Sequence, residues 1–263
     1  MKIASREQPK NALGSLAWGE ASKGVLNEEE RGRVVEKFKF VMTQAGIDAD
    51  RRRLGLLKPK HIPLTALAPP DSKIVKDALA YAEETHVEPL LRHSWRTYYF
   101  GALIAAHDEI GFDRELGFTA SILHDLGLTA SANPRPGDCC FAVGGALQAR
   151  RFLMGKGYGR NQVDVIADAI SLHLNIHVSA EEHGAIAFLV ARGAVCDVFG
   201  VGVSRISSES IKDVIAKYSR AEVYTALHPP GVEHLDGTRR DAYFQAGLVG
   251  QGQVNPLDTA PFA

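Results

Sequence analysis

The sequence predicts an all-α fold, and three observations carry that expectation. Apolar residues recur at helical spacing in segment after segment, as in Val163, Ile166, Ala167 and Ile170, or Ile186, Leu189, Val190 and Ala194. No segment shows the strict apolar–polar alternation of a half-buried strand. Capping residues bracket the first periodic segment, with Asn27 as N-cap, Glu30 three positions on, and Gly46 as its natural stop.

Taken in order, residues 1–26 carry Gly, Ser, Pro and scattered charge around one aromatic, Trp18, and read as an irregular arm that packs on the surface or swaps onto a neighbour. The first helix follows, with Val34, Val35, Phe38, Val41 and Met42 as its apolar stripe. The basic stretch 48–60, with Arg51, Arg52, Arg53, Lys58 and Lys60, reads as a solvated linker ahead of a phosphate-binding patch. After the Pro-rich stretch 61–70, helices are expected at about 72–87, 91–109, 114–127, 140–155, 161–174, 181–199, 208–219 and 238–247. Residues 255–263 read as a loose tail. The organisation expected is an N-terminal arm and helix over 1–60, a helical domain over 61–227, and a C-terminal helix and tail over 228–263.

A chain of 263 residues buries a sizeable core and leaves room for a pocket. Apolar residues make up 45 % and charged residues 23 %, with 30 Lys+Arg against 31 Asp+Glu, an ordinary globular balance that points away from nucleic acid; the small-molecule substrate expected of this chain follows from its candidate site. Three cysteines, two of them adjacent (Cys139, Cys140), make a poor disulfide framework. With no apolar h-region at the start and no run long enough to span a bilayer, the expectation is a cytoplasmic protein without a membrane partner.

The chemistry concentrates at His124-Asp125, at the end of a strongly apolar helix and just before Gly127. A buried His beside a buried Asp needs partners or a metal, because bare polar groups are costly there. For a lone dipeptide a hydrogen-bonded core histidine is the simpler explanation, and the second pair, His107-Asp108, followed by Glu109, reads as surface. His124 differs in having candidate co-ligands in helices on both sides, His93 before and Asp197 after. Two imidazoles and two carboxylates from separate helices suit one divalent ion, Zn²⁺, Mn²⁺ or Fe²⁺, with positions left for water.

This spaced set, His93, then His124-Asp125, then Asp197, resembles the signature of the HD-domain superfamily, and the likeness covers roughly residues 60–220. Its flanks, His93-Ser94-Trp95-Arg96-Thr97-Tyr98 with Gly101, Leu123-His124-Asp125-Leu126-Gly127, Ala169-Ile170-Ser171-Leu172-His173 and Gly193-Ala194-Val195-Cys196-Asp197-Val198-Phe199-Gly200, are similar to the cyanamide hydratase-like branch. That resemblance implies an HD-type helical bundle with an N-terminal extension. It also implies a hydro-lyase or hydrolase that adds metal-activated water to a nitrile-type triple bond, cyanamide to urea, with zinc as the usual metal. Two-metal members carry extra histidines soon after the His-Asp pair; this chain has none between Asp125 and His173, so a mononuclear site is expected.

On this reading the ligands are His93, His124, Asp125 and Asp197, and Asp125 or His173 manages the proton. Trp95, Arg96, Tyr99, Phe141 and His177 are assigned to the substrate pocket, although core packing and a structural ion pair are the simpler roles for the aromatics and for Arg96. His173 and His177, four apart, share a face if the helix continues, but Asn175 and the approach to Val178-Ser179 suggest that it is ending, which leaves His177 open between pocket and surface. Where the branch commonly has Phe-Glu, this chain has Phe141-Ala142, which bears on its activity towards cyanamide. Phosphohydrolysis of a nucleotide or other ester is the alternative, weakened by Leu128 where HD phosphohydrolases often carry lysine; a non-catalytic sensor braced by its metal is the third. The N-terminal arm is the candidate for homo-oligomer contacts.

Overall fold

In a computed structural model, residues 12–248 and 255–259 are described. They form twelve α-helices joined by turns and short 3₁₀ segments, with no strand among them; the one β-bridge joins Val25 to Thr238. The helices are α1 Leu16–Ser22, α2 Glu28–Arg53, α3 Lys73–Thr85, α4 Glu88–His107, α5 Arg114–Leu123, α6 Phe141–Gly155, α7 Arg160–Leu172, α8 Ala180–His183, α9 Ala185–Phe199, α10 Ser208–Lys217, α11 Val223–Leu227 and α12 Arg239–Gln245. No described helix is long and apolar enough to cross a membrane.

At the centre, α9 lies along α4, flanked by α5 and α7. Eleven of the residues of α9 are buried, among them Ile186, Leu189, Val190 and Ala194, as expected of a helix packed on several sides. Two glycines allow its close approach to α4: a Cβ on Gly193 would lie 1.8 Å from the Thr97 carbonyl oxygen, and one on Gly101 2.2 Å from that of Leu189. A second close contact seats α6 on the turn after α5, where a Cβ on Gly127 would lie 1.9 Å from the Phe141 carbonyl oxygen. Gly145 faces that turn, where a Cβ on it would lie 2.9 Å from the Gly127 nitrogen.

Several boundaries differ from expectation, each for a physical reason. The capping box at Asn27 and Glu30 forms, but α2 runs past Gly46 to Arg53. Three glutamates in its first turn and three arginines in its last complement the helix dipole. Arg52 also donates to the carbonyls of Val203, Ser204 and Ile206, so this basic run is an anchored helix end instead of a linker. The expected helix 181–199 breaks at Gly184, whose φ of +83° leaves the helical region. The arm before residue 27 is only partly irregular: Ser15 caps α1, and the buried Leu16 and Trp18 pack it against α6 and α7 of the same chain; residues 1–11 lie outside the described set. The tail is not loose where it is described, since Asn255 and Leu257 are each 1 % exposed.

Three apolar clusters result among the described residues. The largest joins α3, α4, α5, α7 and the inner face of α9; a second joins Trp18, Phe38 and Val41 from the N-terminal helices to Val195 of α9 and Tyr243 of α12; a third gathers Leu90, Leu128, Phe141 and Val143. Phe38 sits edge-on to Phe199 at 5.3 Å and 5.2 Å from Tyr243, so α2 and α12 meet over the end of α9.

Candidate metal centre

His93 comes from the middle of α4, while His124 and Asp125 form the turn that ends α5. His93, His124 and Asp125 are the one group of His, Cys, Asp or Glu among the described residues whose atoms converge as a metal site would require. Their three donor atoms make a triangle: His93 Nε2 to His124 Nε2 is 3.2 Å, His124 Nε2 to Asp125 Oδ2 is 3.2 Å, and His93 Nε2 to Asp125 Oδ2 is 3.4 Å. A tetrahedral ion about 2.0–2.2 Å from each ligand needs donors roughly 3.3–3.6 Å apart.

Each imidazole is oriented through its other nitrogen. His124 Nδ1 donates to the Ser121 carbonyl at 2.7 Å, His173 Nδ1 to that of Ile170 at 2.6 Å, and His93 Nδ1 to Asp197 Oδ2 at 2.6 Å. With Nδ1 carrying the hydrogen, the Nε2 lone pairs of His93 and His173 point inward; His124 Nε2 faces that of His93, and burial of its imidazole is outweighed by Asp125, which raises its pKa. Asp125 Oδ2, fully buried, accepts no hydrogen bond. An orphaned carboxylate oxygen beside two inward imidazole nitrogens is expensive without a cation, and the residues therefore fit a divalent ion.

Asp197, expected as a fourth ligand, stands behind His93. Its Oδ1 accepts from Arg96 Nε at 2.8 Å and Arg220 Nη1 at 2.5 Å; its Oδ2 accepts from His93 Nδ1 and, at 2.8 Å, from Arg96 Nη2. Four donors fill the acceptor positions of one carboxylate, so Asp197 positions His93 instead of joining the triangle. Its backbone carbonyl is also bound, by Arg220 and by Asn255 Nδ2. His173 lies next to the triangle, with Nε2 3.8 Å from the other oxygen of Asp125.

The electrostatics follow from burial. Burial raises the Asp125 carboxyl, but His124, His93 and His173 outweigh it and hold the group well below the usual carboxylate range. Burial likewise works against Asp197, and Arg96 and His93 reverse it more strongly. Burial lowers His93 and pushes His173 down to about 3 with help from His124, so both are neutral at pH 7.

A cavity of about 110 Å³ opens from the triangle. Phe141, Leu128, Leu174, Ile176, Ala194, Val195, Val198 and Phe199 line it, and Leu227, His228, Arg240, Tyr243 and Phe244 complete the wall. Of the residues assigned to the substrate pocket, Phe141 is in place, 5.8 Å from the His173 ring. Trp95 and Tyr99 do not line the cavity: they stack on each other and on Tyr218 within the core, Trp95 5.0 Å from the Tyr218 ring. Arg96 is wholly buried in its bond to Asp197. His177 faces a separate crevice with Phe40 and Arg192, because the helix ends at Leu172 and Ile176 takes a φ of +62°, which turns the chain away. Ala142 is buried among Leu90, Leu128 and Val143 and does not line the cavity. Cys139 and Cys140 are buried and free, and His107 and Asp108 end α4, with Asp108 paired to Arg205.

Four contributors escape a reading of the sequence: Arg220 and Asn255 behind Asp197, Arg240 in the cavity wall, and His86, whose buried Nε2 has no hydrogen-bond partner. Arg220, Asn255 and Arg240 carry no local motif; for His86 the one signal is its place in His86-Val87-Glu88-Pro89, just ahead of the helix that bears His93.

The chain matches no protein-family model and no curated protein sequence.

Proposed function

We propose that this protein is a metal-dependent hydro-lyase or hydrolase that adds water to a small nitrile-like substrate in an apolar cavity. The observation that carries the reading is Asp125 Oδ2, a buried carboxylate oxygen without a hydrogen bond facing two inward imidazole nitrogens. His93, His124 and Asp125 would hold one divalent ion, zinc by preference with Fe²⁺ or Mn²⁺ as alternatives. Such an ion lowers the pKa of a bound water from about 16 towards about 7.

The chain's own residues do the rest. Asp197, held by Arg96 and Arg220, keeps the His93 ring turned inward. His173, neutral at pH 7, presents an Nε2 acceptor near Asp125 Oδ1, so the two can orient the attacking water and pass its proton on. Phe141, Val195 and Val198 exclude bulk water from the reacting carbon. The oxygen of water bonds to the nitrile carbon as one C–N π bond opens and one proton reaches the nitrogen; transfer of the second proton from that oxygen to the nitrogen then gives the amide, or urea from cyanamide. The apolar lining favours a neutral reacting group over the polyphosphate of a nucleotide, and the flanks similar to cyanamide hydratases support the nitrile.

The test is urea formation from cyanamide by protein of known metal content, with His124→Ala beside it. Turnover that disappears with the metal in the variant is expected. A wild-type protein that holds one equivalent of metal, ignores cyanamide and small nitriles, and cleaves p-nitrophenyl phosphate with Mn²⁺ would overturn the hydratase reading in favour of phosphohydrolysis.

A further inference from the structure

The cavity is larger than a nitrile group needs. A single water occupies roughly 10–15 Å³ on the same measure, against about 110 Å³ here. Its wall beyond the metal ligands and His173 is mostly apolar, except where His228 and Arg240 stand with Phe244, which is 41 % exposed and so marks the mouth.

Arg240 is unlike the other arginines near the site. Arg96 and Arg220 are spent on Asp197, and Arg239 donates to the Ser171 carbonyl and to Asn175. Among the described residues Arg240 has no hydrogen bond and no ion pair; its guanidinium lies over the Phe244 ring, 4.4 Å from the centroid. Its neighbour Asp241 is engaged elsewhere, by Arg31, Gln245 and the Gly237 amide. A half-buried guanidinium presents five donors in a planar fork that matches a carboxylate or phosphate. His228 stands beside it, its Nδ1 taken by the Tyr224 carbonyl and its Nε2 left for a ligand.

We infer that Arg240 is a substrate-binding residue that receives the oxyanion of a ligand whose apolar body fills the cavity and whose reactive end meets His93, His124 and Asp125. The substrate class is thus an amphipathic anion, a short apolar chain with a carboxylate or phosphate at the end remote from the reacting group. This rests on the metal-site reading above for the reactive end only; oxyanion recognition by Arg240 stands without it.

The test is calorimetric titration of the zinc-loaded protein with hexanoate, hexyl phosphate and hexan-1-ol, repeated on Arg240→Gln and on chelator-treated wild type. A charge-assisted pair to arginine favours one of the two anions over the alcohol by about tenfold or more. That preference should collapse in Arg240→Gln and persist after chelation; the tighter of the two anions identifies the oxyanion. Equal binding of anion and alcohol by the wild type, or a preference untouched by Arg240→Gln, overturns the inference. So does a preference that vanishes on chelation, because the metal would then be holding the anion. Zinc content and urea formation, measured on the same samples, report separately on the metal-site reading.

Discussion

At the residue scale, the centre is a set of groups that each need the next. Asp125 and the two imidazoles were legible because a His-Asp pair at the end of an apolar helix is costly unless something binds it. Asp197 was legible as a member of the site but not in its role, since spacing says nothing about Arg220, which arrives from beyond α10 and takes one of its oxygens. Asp197→Asn leaves Arg96 facing no buried charge, and a loss of about 3–5 kcal/mol in denaturant unfolding is expected. Because Asp197 fixes the His93 ring, zinc affinity should also fall about 10–100-fold, as read by competitive chelator titration. His86 supplies a pH prediction. Burial pushes it down to about 4, whereas the unfolded chain takes up that proton near pH 6.5. Stability is therefore complete above about pH 6.5 and falls as pH drops towards 4, by about 2 kcal/mol at pH 5. His86→Asn should lose less melting temperature between pH 7 and pH 5 than the wild type; equal losses would mean that His86 does not contribute.

At the scale of elements, the pattern of apolar residues located most of the helices, and the exceptions show what it lacks. On α4, Trp95 and Tyr99 follow His93 by two and six residues, which at 100° per residue points them roughly 200° and 240° away from it. The helical period alone thus put them in the core, where they stack on Tyr218, while Arg96 shares the face of His93 and reaches Asp197. The turn that carries His173 is held from outside its own helix: Ser171 Oγ donates to the Gly14 carbonyl, Asn175 to that of Leu13, and Arg239 to that of Ser171. Such long-range bonds leave no periodic trace in sequence. The α4–α9 contact, which brings His93 to Asp197, depends on two glycines. Gly193→Ala would drive a methyl into the Thr97 carbonyl; a destabilisation of about 3 kcal/mol is expected from denaturant unfolding, with zinc affinity reduced alongside it.

For the whole molecule, the N-terminal and C-terminal segments are part of the site's enclosure. Phe38 of α2 packs on Tyr243 of α12, and Tyr243 and Arg240 line the cavity over a centre built from α4, α5 and α9. Helical class was readable from the sequence; this closure was not, because it joins residues two hundred positions apart through ordinary hydrophobic contacts. An ion that binds only the folded chain stabilises it by about 2.7 kcal/mol at a free concentration of 100 Kd, so stripping zinc should lower the melting temperature by about 5–10 °C.

The most direct test of the central claim is the zinc stoichiometry, by elemental analysis, of the purified wild type and of Asp125→Ala after equilibration with Zn²⁺ and desalting. One equivalent in the wild type and almost none in the variant is the predicted result. Zinc retained equally by both, or by neither, would contradict a metal centre built on His93, His124 and Asp125.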